Sequence, residues 1–242
     1  AAERQGFAAV PLFGLLLIAA ASLLPAFPVD ETRYLTVAWE MRATGRWSLP
    51  TLNFEPYSHK PPLLFWLINA SWAVFGFGVW PTRLVGVGAT VAVLILTHCL
   101  DRRLAPAQSS GPALSALMLG GLPLFIVLGC SIMVDMLLTA TVSGAMLALW
   151  IAGRSGDWRA FPAYGASIGL GLLAKGPVVL LFTVPAALLA RYWIAPEHRP
   201  RWFLRMGAAL ALGVLIGLAW ALRAAAIGGP DYAEMLLWKQ SA

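Results

Sequence analysis

Two short polar stretches near the start of an otherwise apolar chain carry side chains that could bind or move a charged group. They are Asp30, Glu31, Arg33 and Tyr34 in the first stretch, and His59 and Lys60, followed by two prolines, in the second. Carboxylates can accept a proton, and guanidinium and ammonium groups can bind phosphate. Charge beside apolar segments is costly unless it is solvated, paired or used. We therefore interpret this region as the active-site loop of a membrane enzyme.

Asp30 and Glu31 are adjacent, so a helix would direct their side chains to different faces. Consecutive helical residues are rotated by about 100°, which lets one carboxylate face a cavity while the other orients a neighbour. Asp30 could then take a proton from an acceptor hydroxyl, as general bases do. Alternatively, both acids could simply favour the positive end of a helix dipole. Asp30 and Glu31 are our first catalytic candidates.

Arg33 and Lys60 have the chemistry expected of a phosphate site. An arginine can bind phosphate with paired donors, and a lysine supplies a point charge. The two prolines after Lys60 restrict the backbone there, which favours a preorganised cation. Both cations could instead pair with nearby acids or with lipid headgroups. His59 could contact phosphate, ligate a metal or lie at the interface as a polar residue, and Glu55 could join it at a divalent cation.

Two isolated charges occur later in the chain, at the ends of apolar runs. Asp135 has no basic neighbour in sequence, so it needs a solvent-filled cavity or a remote partner, or else caps the following helix. Lys175 could meet the same ligand or only extend to the interface. We place Asp135 with the catalytic candidates and Lys175 with the substrate-binding ones. Gly165, Gly169 and Gly171 favour close helix packing over phosphate binding.

The composition is that of a polytopic helical membrane protein. Hydrophobic residues make up 60% of the 242 residues and charged residues only 12%, with a mean hydropathy of +0.76. A soluble domain is about one quarter charged. The net charge of +6 would suggest nucleic acid as a partner in a soluble protein. Here it indicates basic loops beside anionic lipid, so we expect membrane lipids and no nucleic acid as partners.

Apolar runs predict one transmembrane domain over residues 1–242 with seven spans. The predicted spans are residues 7–27, 84–100, 113–128, 136–152, 161–174, 178–193 and 206–226, and the active-site loop is 28–83. Within that loop, residues 61–79 predict a helix in the interface, with an eighth span as the alternative. The chain ends abruptly after an apolar and aromatic stretch, so we expect it to be a piece of a longer protein.

Basic residues predict the orientation of these spans. With seven spans, arginines concentrate in the connections near residues 102–103, 154–159 and 191–205, which is the pattern of segments facing the cytoplasm. Seven of the eleven acids, including Asp30 and Asp135, then fall on the outer side. The candidate residues therefore gather on one side of the membrane, opposite the arginines.

The polar motifs together resemble the GT-C glycosyltransferase superfamily. The resemblance is to the bacterial aminoarabinose–lipid A transferase and protein O-mannosyltransferase-like families, and only to their amino-terminal membrane part. It is carried by residues 30–34 (Asp-Glu-Thr-Arg-Tyr) and 60–63 (Lys-Pro-Pro-Leu), with support from residues 133–136 and 174–177. It implies an all-α GT-C-like helix bundle with interfacial helices in the first outer loop. This chain has His59 where the lipid A enzyme commonly has glutamate.

The resemblance also implies a function and a location. It implies transfer of a sugar, with inversion, from a polyprenyl-phosphate donor to lipid A, another glycan or a protein hydroxyl. Asp30 would be the base, Lys60 would approach the donor phosphate and Asp135 would line the cavity, while Arg33, Tyr34, His59 and Lys175 would bind substrate. No cofactor would be required, although a divalent cation is possible. The expected location is the bacterial inner membrane, with a multi-pass chain and the active site on the outer side.

Two other functions use similar residues. A lipid or sugar transporter or flippase would also place charges along a polar path, but it should have polar residues deep within several spans and inverted repeats. The span interiors here are mostly Ala, Leu, Val and Gly. A non-catalytic membrane assembly or lipid-binding protein would keep its function after replacement of Asp30.

Overall fold

The computed structural model describes residues 2–104, 112–195, 197 and 199–236, which form a helical protein with one short hairpin. Residues 237–242, where we expected an abrupt end, lie outside the described residues. The helices are α1 (Ala2–Leu23), α2 (Asp30–Thr44), α3 (Leu63–Phe75), α4 (Val79–Leu104), α5 (Pro112–Gly120), α6 (Pro123–Cys130), α7 (Val134–Ser155), α8 (Ala160–Lys175), α9 (Val178–Leu188) and α10 (Trp202–Glu234). The strands are β1 (Thr51–Leu52) and β2 (Glu55–Pro56), and a 3-10 helix covers Leu189–Tyr192.

The predicted active-site loop is an ordered layer at one end of the bundle. Helix α2 begins after Val29, whose positive φ of 77° turns the chain away from α1. It packs on α3, and α3 packs on α4. The antiparallel hairpin between them pairs Thr51 with Pro56 and Leu52 with Glu55. The buried carboxylate of Glu40 fixes this hairpin to α2, since it accepts hydrogen bonds from the Thr51 hydroxyl (2.7 Å) and the Phe54 amide (3.0 Å).

Close helix packing forms the rest of the bundle. Helix α8 lies between α7 and α10, and α4 contacts α1, α3, α5 and α7. The glycines of α8 allow this approach: a Cβ atom added at Gly169 would lie 2.8 Å from Ile216 of α10. On α10, a Cβ at Gly213 would lie 2.7 Å from the Gly165 carbonyl oxygen. The interpretation of the glycine run as a packing surface is confirmed.

Three of the described helices are long and apolar enough to cross a membrane, namely α4, α7 and α10. Helix α3 has only 13 residues, about 20 Å at the helical rise, and the hydrocarbon core is about 30 Å thick. This length fits an interfacial helix for residues 61–79, although the choice between that helix and an eighth span stays a prediction. The total of seven spans stays a prediction.

Two predicted spans are not single helices. Residues 113–128 are divided between α5 and α6, with Leu122 extended (φ −74°, ψ 123°) before Pro123. The break follows from the proline, which has no amide hydrogen and disfavours a helical residue before it. Residues 178–193 divide into α9 and the 3-10 helix. Helix α10 extends past its predicted end at residue 226, and it is kinked at Gly229 (φ 84°), just before Pro230.

Candidate active site

The first turn of α2 separates the two adjacent acids. The side chain of Asp30 is 51% exposed, whereas that of Glu31 is fully buried. The helical rotation of about 100° between neighbours accounts for the separation. Asp30 lies 3.8 Å from the guanidinium of Arg33, one turn later. Asp30 is thus held near a cation while remaining open to a ligand, as a base for an acceptor hydroxyl must be.

The buried carboxylate of Glu31 connects separate segments of the chain through hydrogen bonds. Its Oε2 accepts hydrogen bonds from the Phe27 amide (2.7 Å) and from Nη2 of Arg83 (2.8 Å), and its Oε1 accepts one from the Ile132 amide (2.8 Å). The Arg83 guanidinium also donates to the carbonyl oxygens of Pro25 and Cys130. The pair therefore joins the α1–α2 connection to α4 and to the segment before α7. A catalytic role for Glu31 stays a prediction, and its surroundings suit a positioning role.

Tyr34 marks the centre of the candidate site. Its side chain is buried, which raises the pKa of the phenol to about 12, and the negative charges of Asp30 and Asp135 act in the same direction while Arg33 opposes them. The Tyr34 ring also packs against Phe65 of α3, with 6.2 Å between ring centroids. The hydroxyl is protonated at neutral pH, as in any tyrosine, and the raised pKa extends its ability to donate a hydrogen bond to more alkaline conditions.

Asp135 and Lys175 form an ion pair across α7 and α8. The distance from Nζ to Oδ1 is 2.7 Å, and the two side chains are 42% exposed for Asp135 and 29% for Lys175. Asp135 lies in the first turn of α7, whose flanking residue Met133 makes no side-chain cap. Among a solvent-filled cavity, a remote partner and a helix cap for Asp135, the structure supports the remote partner, which is Lys175. Because part of each charge still faces solvent, the pair remains accessible to a polar ligand.

Lys60 follows the hairpin at the edge of this group. Tyr57, three residues earlier, is buried against Phe65 with 6.3 Å between ring centroids, so the segment before Lys60 is held against α3. Burial raises the pKa of the Tyr57 phenol, and the nearby Arg33 opposes that effect. Lys60 itself is half-buried, and it has no ion pair or hydrogen bond to the described part of the chain. It is a positioned cation with its donors free.

His59 and Glu55 are both exposed. His59 contacts the ring of Tyr57, with 5.4 Å between ring centroids. Among the described residues, no group of three or more His, Cys, Asp or Glu side chains could hold a metal ion. The divalent-cation site at these two residues stays a prediction, and within the described ranges it lacks a third ligand.

The structure thus brings together most of the residues predicted for the site. Asp30, Arg33 and Asp135 all act on the Tyr34 phenol, Lys175 joins them through Asp135, and His59 is joined through Tyr57. Glu31 faces the interior instead. No direct contact joins Lys60 to this group within the described ranges.

Three residues that support the site were not predicted from the sequence. Arg83 is the buried partner of Glu31, and it was placed in the polar loop because the predicted span began at residue 84. A lone arginine at the start of an apolar run was a signal, since such a charge needs a partner. Glu40 and Tyr57, which hold the hairpin and the segment before Lys60, had no distinguishing pattern in sequence.

Known proteins share both the sequence and the fold. A family model described as dolichyl-phosphate-mannose-protein mannosyltransferase matches residues 59–226. The chain is 30% identical to the undecaprenyl phosphate-alpha-4-amino-4-deoxy-L-arabinose arabinosyl transferase of Edwardsiella ictaluri, over 95% of this chain and 40% of the relative. It is 31% identical to the enzyme of the same name from Pseudomonas paraeruginosa, over 94% of this chain and 42% of the relative.

Among solved structures, ArnT from Cupriavidus metallidurans bound to undecaprenyl phosphate superposes with a TM-score of 0.81 at 20% identity, over 97% of this chain and 44% of that one. The apo form of the same protein superposes with a TM-score of 0.77 at 19% identity, over 96% of this chain and 44% of that one. The chain spans less than half the length of these proteins. The predicted all-α polytopic GT-C membrane fold is confirmed, and so is the resemblance to the lipid A transferase group. The chain belongs to the dolichyl-phosphate-mannose-protein mannosyltransferase family, whose model matches more than half of its residues.

Proposed function

We propose that this chain is the amino-terminal catalytic part of a membrane glycosyltransferase that uses a polyprenyl-phosphate-linked sugar. The observation that carries the proposal is the constellation around Tyr34: an open carboxylate at Asp30, a paired carboxylate at Asp135 and the cations of Arg33 and Lys175. The names of the relatives support the donor class, since they describe transfer from undecaprenyl phosphate.

Asp30 acts as the general base. An acceptor hydroxyl attacks the anomeric carbon of the donor sugar, and its proton passes to the Asp30 carboxylate. The bond between that carbon and the phosphate oxygen breaks, and its electrons remain on the phosphate. Attack opposite the leaving group inverts the anomeric carbon. The exposed position of Asp30 suits this task better than the buried position of Glu31.

Cations stabilise the phosphate that leaves. Negative charge develops on the donor phosphate as the bond breaks, and preorganised positive groups lower the energy of that state. Lys60 has free donors, and the adjacent Pro61 and Pro62 are buried, which holds the backbone beside it. Arg33 can offer paired donors. Lys175 would contribute while keeping its contact with Asp135.

The charges at the two ends of the bundle support an outer-side location for the site. Asp135 lies in the first turn of α7, and Arg154 lies in its last turn, about 30 Å away at the helical rise. Arginines gather at the second end, which the positive-inside rule assigns to the cytoplasm. The site then opens on the outer side of a bacterial inner membrane. The acceptor would be a hydroxyl of lipid A, of another glycan or of a protein, and a divalent cation could assist without being required.

The donor class can be tested in vesicles that contain the complete gene product. We expect sugar transfer and release of polyprenyl phosphate from the lipid-linked donor, and none from a nucleotide sugar. Lys60→Ala should lower turnover on the order of 10²–10³-fold. Lys60→Arg should recover part of it, because the two cations differ in shape and hydration.

Arg46→Ala is the matched control, since it removes an exposed cation from the same segment and should leave turnover within about twofold. Equal use of a nucleotide sugar would contradict the donor class. Unchanged turnover and unchanged donor binding in Lys60→Ala would remove Lys60 from the mechanism.

A further inference from the structure

A ladder of aromatic rings with a guanidinium group at each end lies at the end of the bundle opposite the candidate site. Its members, in order of contact, are Arg154, Trp150, Trp193, Trp202, Phe161 and Arg205. The ring centroids are 6.0, 5.8 and 5.9 Å apart in succession. The guanidinium carbons lie 5.5 Å from the rings of Trp150 and Phe161. We call this set the arginine–aromatic ladder.

The rings of the ladder are fixed by hydrogen bonds and packing. The indole nitrogens of Trp193 and Trp202 donate to the carbonyl oxygens of Ala186 and Ala187, each at 3.1 Å. The Ala195 amide donates to the Gly153 carbonyl oxygen at 3.1 Å, which ties the segment after the 3-10 helix to α7. Trp202 is only 1% exposed. The ladder is therefore a rigid platform across α7, α8 and α10.

The two terminal arginines are exposed and have unused donors. Neither Arg154 nor Arg205 forms a side-chain hydrogen bond or an ion pair with a carboxylate in the described part of the chain. Their contacts are with ring faces, and such stacking uses the flat face of a guanidinium while leaving the N–H groups at its edge available. Arg159 is held in the same way, 5.8 Å over the exposed ring of Trp158.

The surroundings of the ladder have the character of a membrane interface. Trp158, Phe203 and Leu204 are 69%, 61% and 73% exposed beside these arginines, and tryptophan concentrates at the level of lipid headgroups. The charge here is mostly positive. At this end of the bundle, within residues 154–161 and 189–205, the described charged residues are the arginines 154, 159, 199, 201 and 205 and the acids Asp157 and Glu197, leaving aside Arg191, whose side chain is not described.

We propose that each end of the arginine–aromatic ladder binds the headgroup of an anionic phospholipid, one at Arg154 and one at Arg205. A phosphodiester offers oxygen acceptors that match the edge donors of a guanidinium. The rings hold each guanidinium in place before the lipid arrives, so less side-chain freedom is lost on binding. Basic residues at a membrane surface also attract anionic lipid. This inference does not depend on the proposed transfer reaction, because the ladder and the candidate site lie at opposite ends of α7.

The test is lipid binding to the purified complete gene product in neutral detergent, measured by native mass spectrometry. Phosphatidylglycerol and phosphatidylcholine are the two probes. We expect phosphatidylglycerol to bind at least tenfold more tightly. Replacing Arg154 and Arg205 together by Gln should weaken phosphatidylglycerol binding at both ends of the ladder, by about fivefold at each, which is about the contribution of one hydrogen bond. Binding of phosphatidylcholine should not change.

Two further variants separate a built site from general attraction. Arg103→Gln removes an exposed arginine near the end of α4 that has no described partner, and it should change binding by less than about twofold. Replacing Arg154 and Arg205 by Lys keeps the charge without the paired donors, so binding should fall between wild type and the Gln variant. Equal binding of the two lipids, equal losses in Arg103→Gln and the double Gln variant, or full wild-type binding by the Lys variant would overturn the proposal.

Discussion

Removing both members of the buried Glu31–Arg83 pair should destabilise the protein no more than removing one of them. Both side chains are at most 1% exposed, and Nη2 of Arg83 lies 2.8 Å from Oε2 of Glu31. Glu31→Ala leaves the guanidinium buried without its counter-charge. It also removes the acceptor for the amides of Phe27 and Ile132. Arg83→Met leaves the carboxylate buried with those two amide donors alone.

The magnitude follows from this burial. Breaking a buried pair by removing one partner typically costs about 3–5 kcal/mol, so we expect each single variant to lose about that much free energy of unfolding. In the double variant neither charge remains. The residual cost is that of the buried backbone groups left unpaired, the Ile132 amide and the Cys130 carbonyl oxygen, about 1–3 kcal/mol each, since Phe27 and Pro25 are exposed and water can reach them. The double variant should thus cost no more than about one single, which corresponds to a coupling energy of about 3–5 kcal/mol, at or above the upper end of the usual 0.5–3 kcal/mol.

The assay is equilibrium unfolding of the four proteins in mixed detergent micelles, arranged as a double-mutant cycle. Glu55→Gln is the matched control, because it neutralises an exposed acid of the same segment and should change the free energy by less than about 0.5 kcal/mol. A loss below about 1 kcal/mol in either single variant, or purely additive effects, would refute the interpretation of this pair as the junction that positions α2.

Two further predictions concern packing and topology. Gly169→Ala should lower the free energy of unfolding by about 1–3 kcal/mol, because the added Cβ would lie 2.8 Å from Ile216. The control Gly88→Ala should cost none, since a Cβ there meets nothing within 4 Å. Similar losses in both variants would contradict close packing of α8 on α10. Single cysteines placed at Gly45 and Gly229 should react with an impermeant thiol reagent added to the outer face, and a cysteine at Gly156 should not. Labelling of Gly156→Cys from the outer face would reject the seven-span orientation.

Helical geometry and the preferences of helix ends are enough to predict part of the candidate site from the sequence. The split between Asp30 and Glu31 follows from helical rotation alone, and the start of α2 at these acids follows from their preference for a helix N-terminus. The isolation of Asp135 in the sequence predicts a solvent-filled cavity, a remote partner or a helix cap, and the structure has the remote partner. The identity of that partner, Lys175, depends on how α7 and α8 pack against each other, which the periodicity of either helix does not specify.

Other features depend on contacts that are distant in sequence. Arg83 meets Glu31 across 52 residues, and treating it as part of the polar loop concealed its burial. The break between α5 and α6 was marked by Gly121 and Pro123, but the apolar content of residues 113–128 outweighed those signals. The arginine–aromatic ladder combines residues of three helices and a loop, so only the folded chain brings its rings together.

The most direct test of the proposed mechanism is the rate of sugar transfer by Asp30→Asn in the complete gene product, with a polyprenyl-phosphate-linked donor. The substitution preserves size and much hydrogen bonding, so the protein should fold and insert normally. We expect the rate to fall about 10²–10⁴-fold, because an amide cannot accept the proton of the acceptor hydroxyl. If Asp30 served only the helix terminus, asparagine would serve almost equally well. Near-normal transfer by a correctly inserted Asp30→Asn protein would contradict the assignment of Asp30 as the base.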